Sequence, residues 1–483
     1  MNIIGLICIL IAQFFSGAGI VRLFRIQLST VPSWCLSMIT GVALTSFVPC
    51  FMQLLGIPIT HTYTAISIGL FTALCSIPLI LPFRMPRLGT IVLPKMYELP
   101  FILVFLFLIV SSLWRCFYFP PTPRDVLAGA ELLAEFTVRE HTMVNSVYSI
   151  DLHTTNNQFK SPYLTSLQII YKLYVCPFGQ LWLGSLFVPL VIWLYNILRD
   201  RIHSLLACMV LLMYFAIPDA FAYTYIMLYD FSNMVFFFSG FYFLTQYILH
   251  KRQPDFAFSV FLFGIATYIR VETLVLVALV SLMPAFNYYK EKLPLPRIAL
   301  RTLLLMAGPV FFYIVCMHIF IPNFVPAKLD TAGQINQNLT DVSAYFTRLS
   351  AINDLLIFSE KGVLVFGYYM YFFMAILTFD LIFIRKFTRE ARMALFGIGV
   401  VYFGLAFLGY LLPLFDVLNT TKRGLFKVIP LISLYYANSG MITRISDYLK
   451  RKELKASEPD TQTTTAPRPV VASAKQKEGK AKK

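Results

Sequence analysis

Arg270 and Glu272 stand two positions apart in FSVFLFGIATYIRVETLVLVALVSLMPAF, opposite charges in an otherwise apolar stretch. Charges at membrane depth are costly, so such residues pair with each other or serve a site. Positions two apart on one helix do not face each other. The spacing therefore predicts two short helices meeting near Tyr268–Thr273, with the charges at the corner. An ion pair that merely fixes the corner is the bland alternative, and a buried pair adds little net stability. Asp125, in FPPTPRDVLAG, is the second candidate. Pro120, Pro121 and Pro123 stop the helix before it, and Asp125 then opens the next element, where a carboxylate works as an N-cap or as a base. Lys422 and Arg423, in NTTKRGLFKVIP, are the third. They fall on the outer side in the topology below, against the usual bias of basic residues. A phosphate partner would explain them, and so would snorkelling toward headgroups. Asp230 in YDFSN, and Arg124, Glu131, Glu135, His153 and Lys160 in the first long loop, complete the set. His153 is isolated and the eight Cys show no metal-ligand spacing, so no metal centre is expected.

These residues need elements to position them, and the elements are apolar. Of 483 residues 58% are hydrophobic and 13% charged, against roughly 45–50% and about 25% in soluble domains. Thirteen runs approach the ~20 apolar residues of a span: about 2–21, 34–56, 63–83, 99–119, 181–198, 204–218, 231–249, 256–269, 273–289, 299–321, 362–384, 393–412 and 425–441. The fold expected is an all-α, polytopic transmembrane helical bundle. Residues 161–175 are too polar for a span and read as interfacial. The first run lacks a basic flank ahead of it, which predicts a retained span rather than a cleaved signal.

Short basic connections at Arg22/Arg25, Arg84/Arg87/Lys95, Arg199/Arg201, residues 250–252, 290–297 and 385–392, and the tail from Arg444, all fall on one side. That side is expected to be cytoplasmic, which puts the N-terminus outside and the C-terminus inside. Two long connections, 120–180 and 322–361, then lie outside, where function is expected. Residues 125–139 repeat apolar positions at helical spacing, which predicts an amphipathic helix on the outer membrane surface. The net charge of +16 reads as orientation and membrane-lipid contact, not nucleic acid. Cys116 and Cys176 flank the largest loop, where a disulfide is possible. Asn338 and Asn419 open short sequons of little specificity. From about residue 450 the chain turns Thr/Pro/Ala/Lys-rich and reads as a disordered basic tail.

In order, side and spacing these elements resemble the GT-C superfamily of polyprenol-linked glycosyltransferases, among them family 39-like and polyprenyl-phosphate-sugar-dependent mannosyltransferase-like members. The likeness runs from about Leu99 to about Met441, through PRDVLAGAELLAE, KSPYLTSLQIIYKLY, YTYIMLYDFSN, GIATYIRVETLVL and TKRGLFKVIPLISLYYA. Three spans precede the point where the family usually begins. The organisation expected is thus N-terminal additional helices over 1–97, a catalytic membrane domain over 98–449 and the tail over 450–483. Val126 stands where a second acid is common, which leaves Glu131 as the next one.

The resemblance implies an inner bacterial membrane and an inverting transfer from a polyprenyl-phosphate-linked sugar to a glycan, lipid or protein acceptor at the outer face. Asp125 would be the general base, with Glu131 a second catalytic acid. Arg270, Lys422 and Arg423 would hold the leaving phosphate, with Glu272 orienting Arg270. No metal is expected to be obligatory, although a divalent ion is compatible. A lipid-linked-glycan flippase should instead show charges through the bilayer and repeated halves, which the sequence lacks. A polymerase or ligase should show an outer loop rich in Arg and His near the C-terminal half, and 322–361 has only Arg348. A non-catalytic scaffold remains as a third reading.

Overall fold

The computed structural model describes residues 1–80, 94–122, 126–150, 160–325, 341–412 and 415–457, and among these there are helices and no strands. In chain order the main helices are α1 (Ile3–Leu23), α2 (Thr30–Leu54), α3 (His61–Ile80), α4 (Met96–Tyr118), α5 (Leu132–Glu140), α6 (Tyr163–Tyr174) and α7 (Gln180–Arg199). There follow α8 (Ser204–Phe215), α9 (Pro218–Ala222), α10 (Tyr229–His250), α11 (Gln253–Ile269), α12 (Thr273–Lys290) and α13 (Leu295–Phe324). The last are α14 (Val342–Ile352), α15 (Glu360–Phe366), α16 (Tyr369–Ile384), α17 (Arg389–Leu411), α18 (Val417–Tyr436) and α19 (Gly440–Ser457).

Eight of these are long and apolar enough to cross a membrane, or up to ten if the bent pairs α15/α16 and α18/α19 each count as one span. Among the described residues the thirteen apolar runs fall largely on helix, but α8 and α11 are short and the run 362–384 is broken at Gly367. The runs that pass carry large apolar side chains on the outside of the protein: Leu74 is 65% exposed and Phe107 69%. Contiguous exposed apolar surface of this kind is what lipid would cover. The chain is therefore an integral, multi-pass membrane protein.

The centre is α10, buried along its whole length from Tyr229 to Ile248. Its polar residues Ser232, Asn233, Thr245 and Gln246 account for its lower apolarity, and they are buried in protein rather than facing lipid. Helix α11 packs along it, and α13 packs in turn on α11. α6 is also internal: every residue from Tyr163 to Tyr171 is buried, so 161–175 is a core element and not an interfacial one. Its polarity is matched by protein partners. Gln168 Oε1 accepts from Trp182 Nε1 at 3.1 Å, and Tyr171 donates to Gln13 Oε1 at 3.1 Å.

The first three helices pack against this core. α1 and α2 touch backbone to backbone, because a Cβ on Gly17 would lie 1.8 Å from the Ser37 carbonyl and one on Gly41 1.6 Å from that of Gln13. Such small-residue contacts let helices approach without an aqueous driving force. α2 then leans on α7 and α6, and its Phe47 ring stacks 4.4 Å from Tyr268 at the end of α11.

Residues 127–140 are helical, with a break at Gly129. Val126, Ala130, Leu133 and Ala134 are buried, and the helix packs on α6. Four positions of the stripe that predicted a membrane-surface helix are thus covered by protein, while Leu127 stays 45% exposed. At the other end of the chain, α19 runs on to Ser457 instead of fraying at 450. Glu453 pairs with Lys95 at 2.5 Å and with His203 at 3.2 Å, and these contacts hold a helix that has no apolar run to announce it. All eight Cys are free thiols, Cys116 and Cys176 included. The sequon at Asn338 lies outside the described residues.

Candidate functional site

The corner between α11 and α12 forms as the spacing requires. Arg270 is extended (φ −141°, ψ 110°) and ends α11; helix resumes at Thr273. Asn233 on α10 seals the break, donating to the Ala266 carbonyl at 2.7 Å and to Thr273 Oγ1 at 2.9 Å. Each charge stands at a favourable helix end: Arg270 at the C-terminus of α11, Glu272 at the N-terminus of α12, Asp230 in the first turn of α10. Arg270 binds both acids, through Nη1 to Asp230 and through Nε to Glu272. The side chain of Asp230 is 2% exposed and those of Arg270 and Glu272 17% each. Guanidinium carries five N–H donors, so Nη2 and one Nη1 hydrogen stay available.

A cleft of about 280 Å³ opens over this triad, close to the lower bound of ~300 Å³ usual for small-molecule sites. Its walls include Val126, Lys160, Tyr229, Phe415, Thr420 and Arg423 besides the triad. Arg423 donates Nε to the Asn419 carbonyl at 3.1 Å and forms no ion pair among the described residues. The Tyr229 hydroxyl donates to the Ser161 carbonyl at 2.8 Å and fixes the opposite wall. Lys427 is outside the lining of the cleft; it is 3% exposed and within electrostatic reach of Arg270, Asp230 and Glu272. It too forms no ion pair among the described residues. Among the described residues Arg270, Arg423 and Lys427 outnumber the carboxylates Asp230 and Glu272, a setting that suits an anion.

No family model, curated protein or solved structure matches this chain.

Of the sequence candidates, Arg270, Glu272, Asp230, Arg423 and Lys160 come together at the cleft. Arg124 and Asp125 lie outside the described residues, and Val126, next in sequence, lines the cleft. Lys422 does not: its Nζ pairs with Asp219 on α9 at 3.2 Å, tying α9 to α18. Lys427 escaped the sequence reading because it sits in an apolar run and looks like a snorkelling lysine. The one available signal was its place four residues after Arg423, on the same helical face. Among the described residues no three His, Cys, Asp or Glu side chains cluster as metal ligands.

Glu131 stands apart from the cleft. It pairs with Lys172 of α6 at 2.6 Å and accepts from Gln168 Nε2 at 2.7 Å. Glu135 shares the same lysine at 2.8 Å. The two acids are pushed in opposite directions. Burial raises the Glu131 carboxyl despite Lys172, whereas Lys172 lowers that of Glu135. A carboxyl raised on folding favours the fold below its unfolded pKa, and that contribution is lost as pH rises through the folded value. A lowered carboxyl favours the fold above its unfolded pKa, lost as pH falls through the folded value. The stability cost of Glu131→Gln should therefore shrink as pH rises out of the ordinary glutamate range, and that of Glu135→Gln should shrink as pH falls below it. Unfolding midpoints across pH for both variants check this; parallel slopes would contradict it.

Proposed function

We propose that this chain is a membrane glycosyltransferase that moves a sugar, with inversion, from a polyprenyl-phosphate-linked donor to a glycan, lipid or protein acceptor. The observation that supports it is the cleft itself: surplus fixed cations around two tethered carboxylates, at one end of an apolar bundle. The transfer breaks the bond between the anomeric carbon and the phosphate oxygen and forms one to the acceptor oxygen. The leaving lipid phosphate gains charge as the bond breaks, and fixed cations stabilise that charge. Arg423, Lys427 and the spare donors of Arg270 take this role. Asp230 and Glu272 hold Arg270 in one orientation. Asp125, next in sequence to Val126 of the cleft wall, takes the acceptor proton in this scheme. A monophosphate leaving group needs no obligatory metal in this scheme.

The topology that goes with this reading has thirteen crossings, the N-terminus outside, the basic connections and C-terminus cytoplasmic, and the cleft on the outer face of an inner bacterial membrane. The test is to supply the purified protein in nanodiscs with a mixture of polyprenyl-phosphate sugars. Release of sugar and polyprenyl phosphate is compared for wild type and Asp125→Asn. Slow hydrolysis by wild type, absent in the variant, is the expected result. Equal hydrolysis would take the base away from Asp125. If no lipid-linked sugar binds or turns over, the transferase reading fails, and translocation of a lipid-linked glycan becomes the reading to assay in proteoliposomes.

A further inference from the structure

A second cleft, of about 790 Å³, lies at the basic end of the bundle between the end of α10, the second half of α12 and the start of α17. One part of its lining is apolar and faces outward: Leu282 is 56% exposed and Phe286 60%, with Phe396 beside them. The other part is cationic, with Lys290, Arg389 and Arg392. Arg389 and Arg392 occupy the first turn of α17, where the helix dipole disfavours positive charge. The acids nearby offset only part of this. Glu291 is engaged by Lys251 at 2.6 Å and lies 3.9 Å from Arg389, and Glu390 is outside the lining. Arg389 also donates to Asn287, and the Lys290 ammonium rests 4.5 Å over the Phe286 ring. Arg392 is exposed and has no ion pair among the described residues.

A cleft that is apolar along one part and cationic at the other matches an amphiphile with an anionic head. We propose that it holds one anionic phospholipid, its phosphate among Lys290, Arg389 and Arg392 and its acyl chains along Leu282, Phe286 and Phe396. A free phosphate would leave the apolar wall unused, and a zwitterionic lipid would leave the cations unbalanced. Basic pockets between membrane helices are suited to such headgroups. The site is separate from the cleft over Arg270 and does not depend on the sugar-transfer reading.

Native mass spectrometry of the full chain in detergent, titrated with palmitoyl-oleoyl phosphatidylglycerol and with the matching phosphatidylcholine, tests it. Each basic residue near an anionic headgroup is worth about fivefold in affinity, so the three together predict roughly a hundredfold preference for phosphatidylglycerol. Lys290→Gln/Arg389→Gln/Arg392→Gln should abolish that preference, and the single exposed change Arg392→Gln should weaken it about fivefold. Equal retention of both lipids by wild type overturns the proposal. So does an undiminished preference in Arg392→Gln, which keeps the test decisive if the triple variant fails to fold. Displacement of the lipid by glycerol phosphate at equal concentration would assign the site to a soluble phosphate instead.

Discussion

Arg270→Met is expected to destabilise the protein by ~3–5 kcal/mol, the usual cost of removing one partner from a buried ion pair. The guanidinium is the counter-ion for two carboxylates at once, and Asp230 is almost fully buried beneath it. Without it, both acids lose the ion-pair partner they have among the described residues, at the break between α11 and α12. The asymmetry is diagnostic: Asp230→Asn should cost less, since asparagine still accepts from Arg270 and Glu272 keeps its pairing. Combining Arg270→Met with Asp230→Asn should recover part of the loss, because one orphaned charge is removed with its partner. Thermal unfolding of the four proteins in one detergent completes the cycle. Additive losses would mean that Asp230 and Arg270 do not interact.

Lys427→Met should separate function from stability. A lysine 3% exposed with no ion pair among the described residues contributes little to the fold, and an apolar side chain of similar length in its place is expected to leave stability unchanged or raise it. If its ammonium helps bear the charge that develops on a leaving phosphate, the same change should slow donor turnover by ~10²–10³, the effect of deleting one preorganised donor at a reacting oxyanion. Turnover and unfolding midpoint are measured on the same preparation. A parallel fall in both would make Lys427 a structural residue, and unchanged turnover would remove it from the site.

The corner at Arg270–Glu272 was legible in the sequence because two charges in an apolar run have few placements that avoid lipid, and a break in the helix is one of them. Asp230 was visible only as a lesser candidate. Its pairing with Arg270 spans 40 positions, and no local rule links residues that far apart. The same limit hid the partner of Lys422, Asp219, which is on another helix. α6 was misplaced for a different reason. Polarity along a segment says that it avoids lipid, but it does not distinguish an interface from a protein interior. That depends on partners such as Trp182, Gln13 and Glu131, which only the folded chain brings together.

The contact between Gln13 and Tyr171 also sets an order in time. α1 and α2 leave the ribosome as a pair whose Gln13 amide nitrogen already has an acceptor in Thr45, 3.3 Å away. The carbonyl oxygen of the same side chain has to wait for Tyr171, which emerges more than a hundred residues later. At synthesis rates of ~5–20 residues per second, the gap is on the order of 10 s. For that interval the first hairpin holds an unanswered acceptor, in a setting where an unanswered polar group is costly. The early helices are thus inserted incomplete, and the arrival of α6 both fills their polar gap and fastens them behind the corner that carries Arg270.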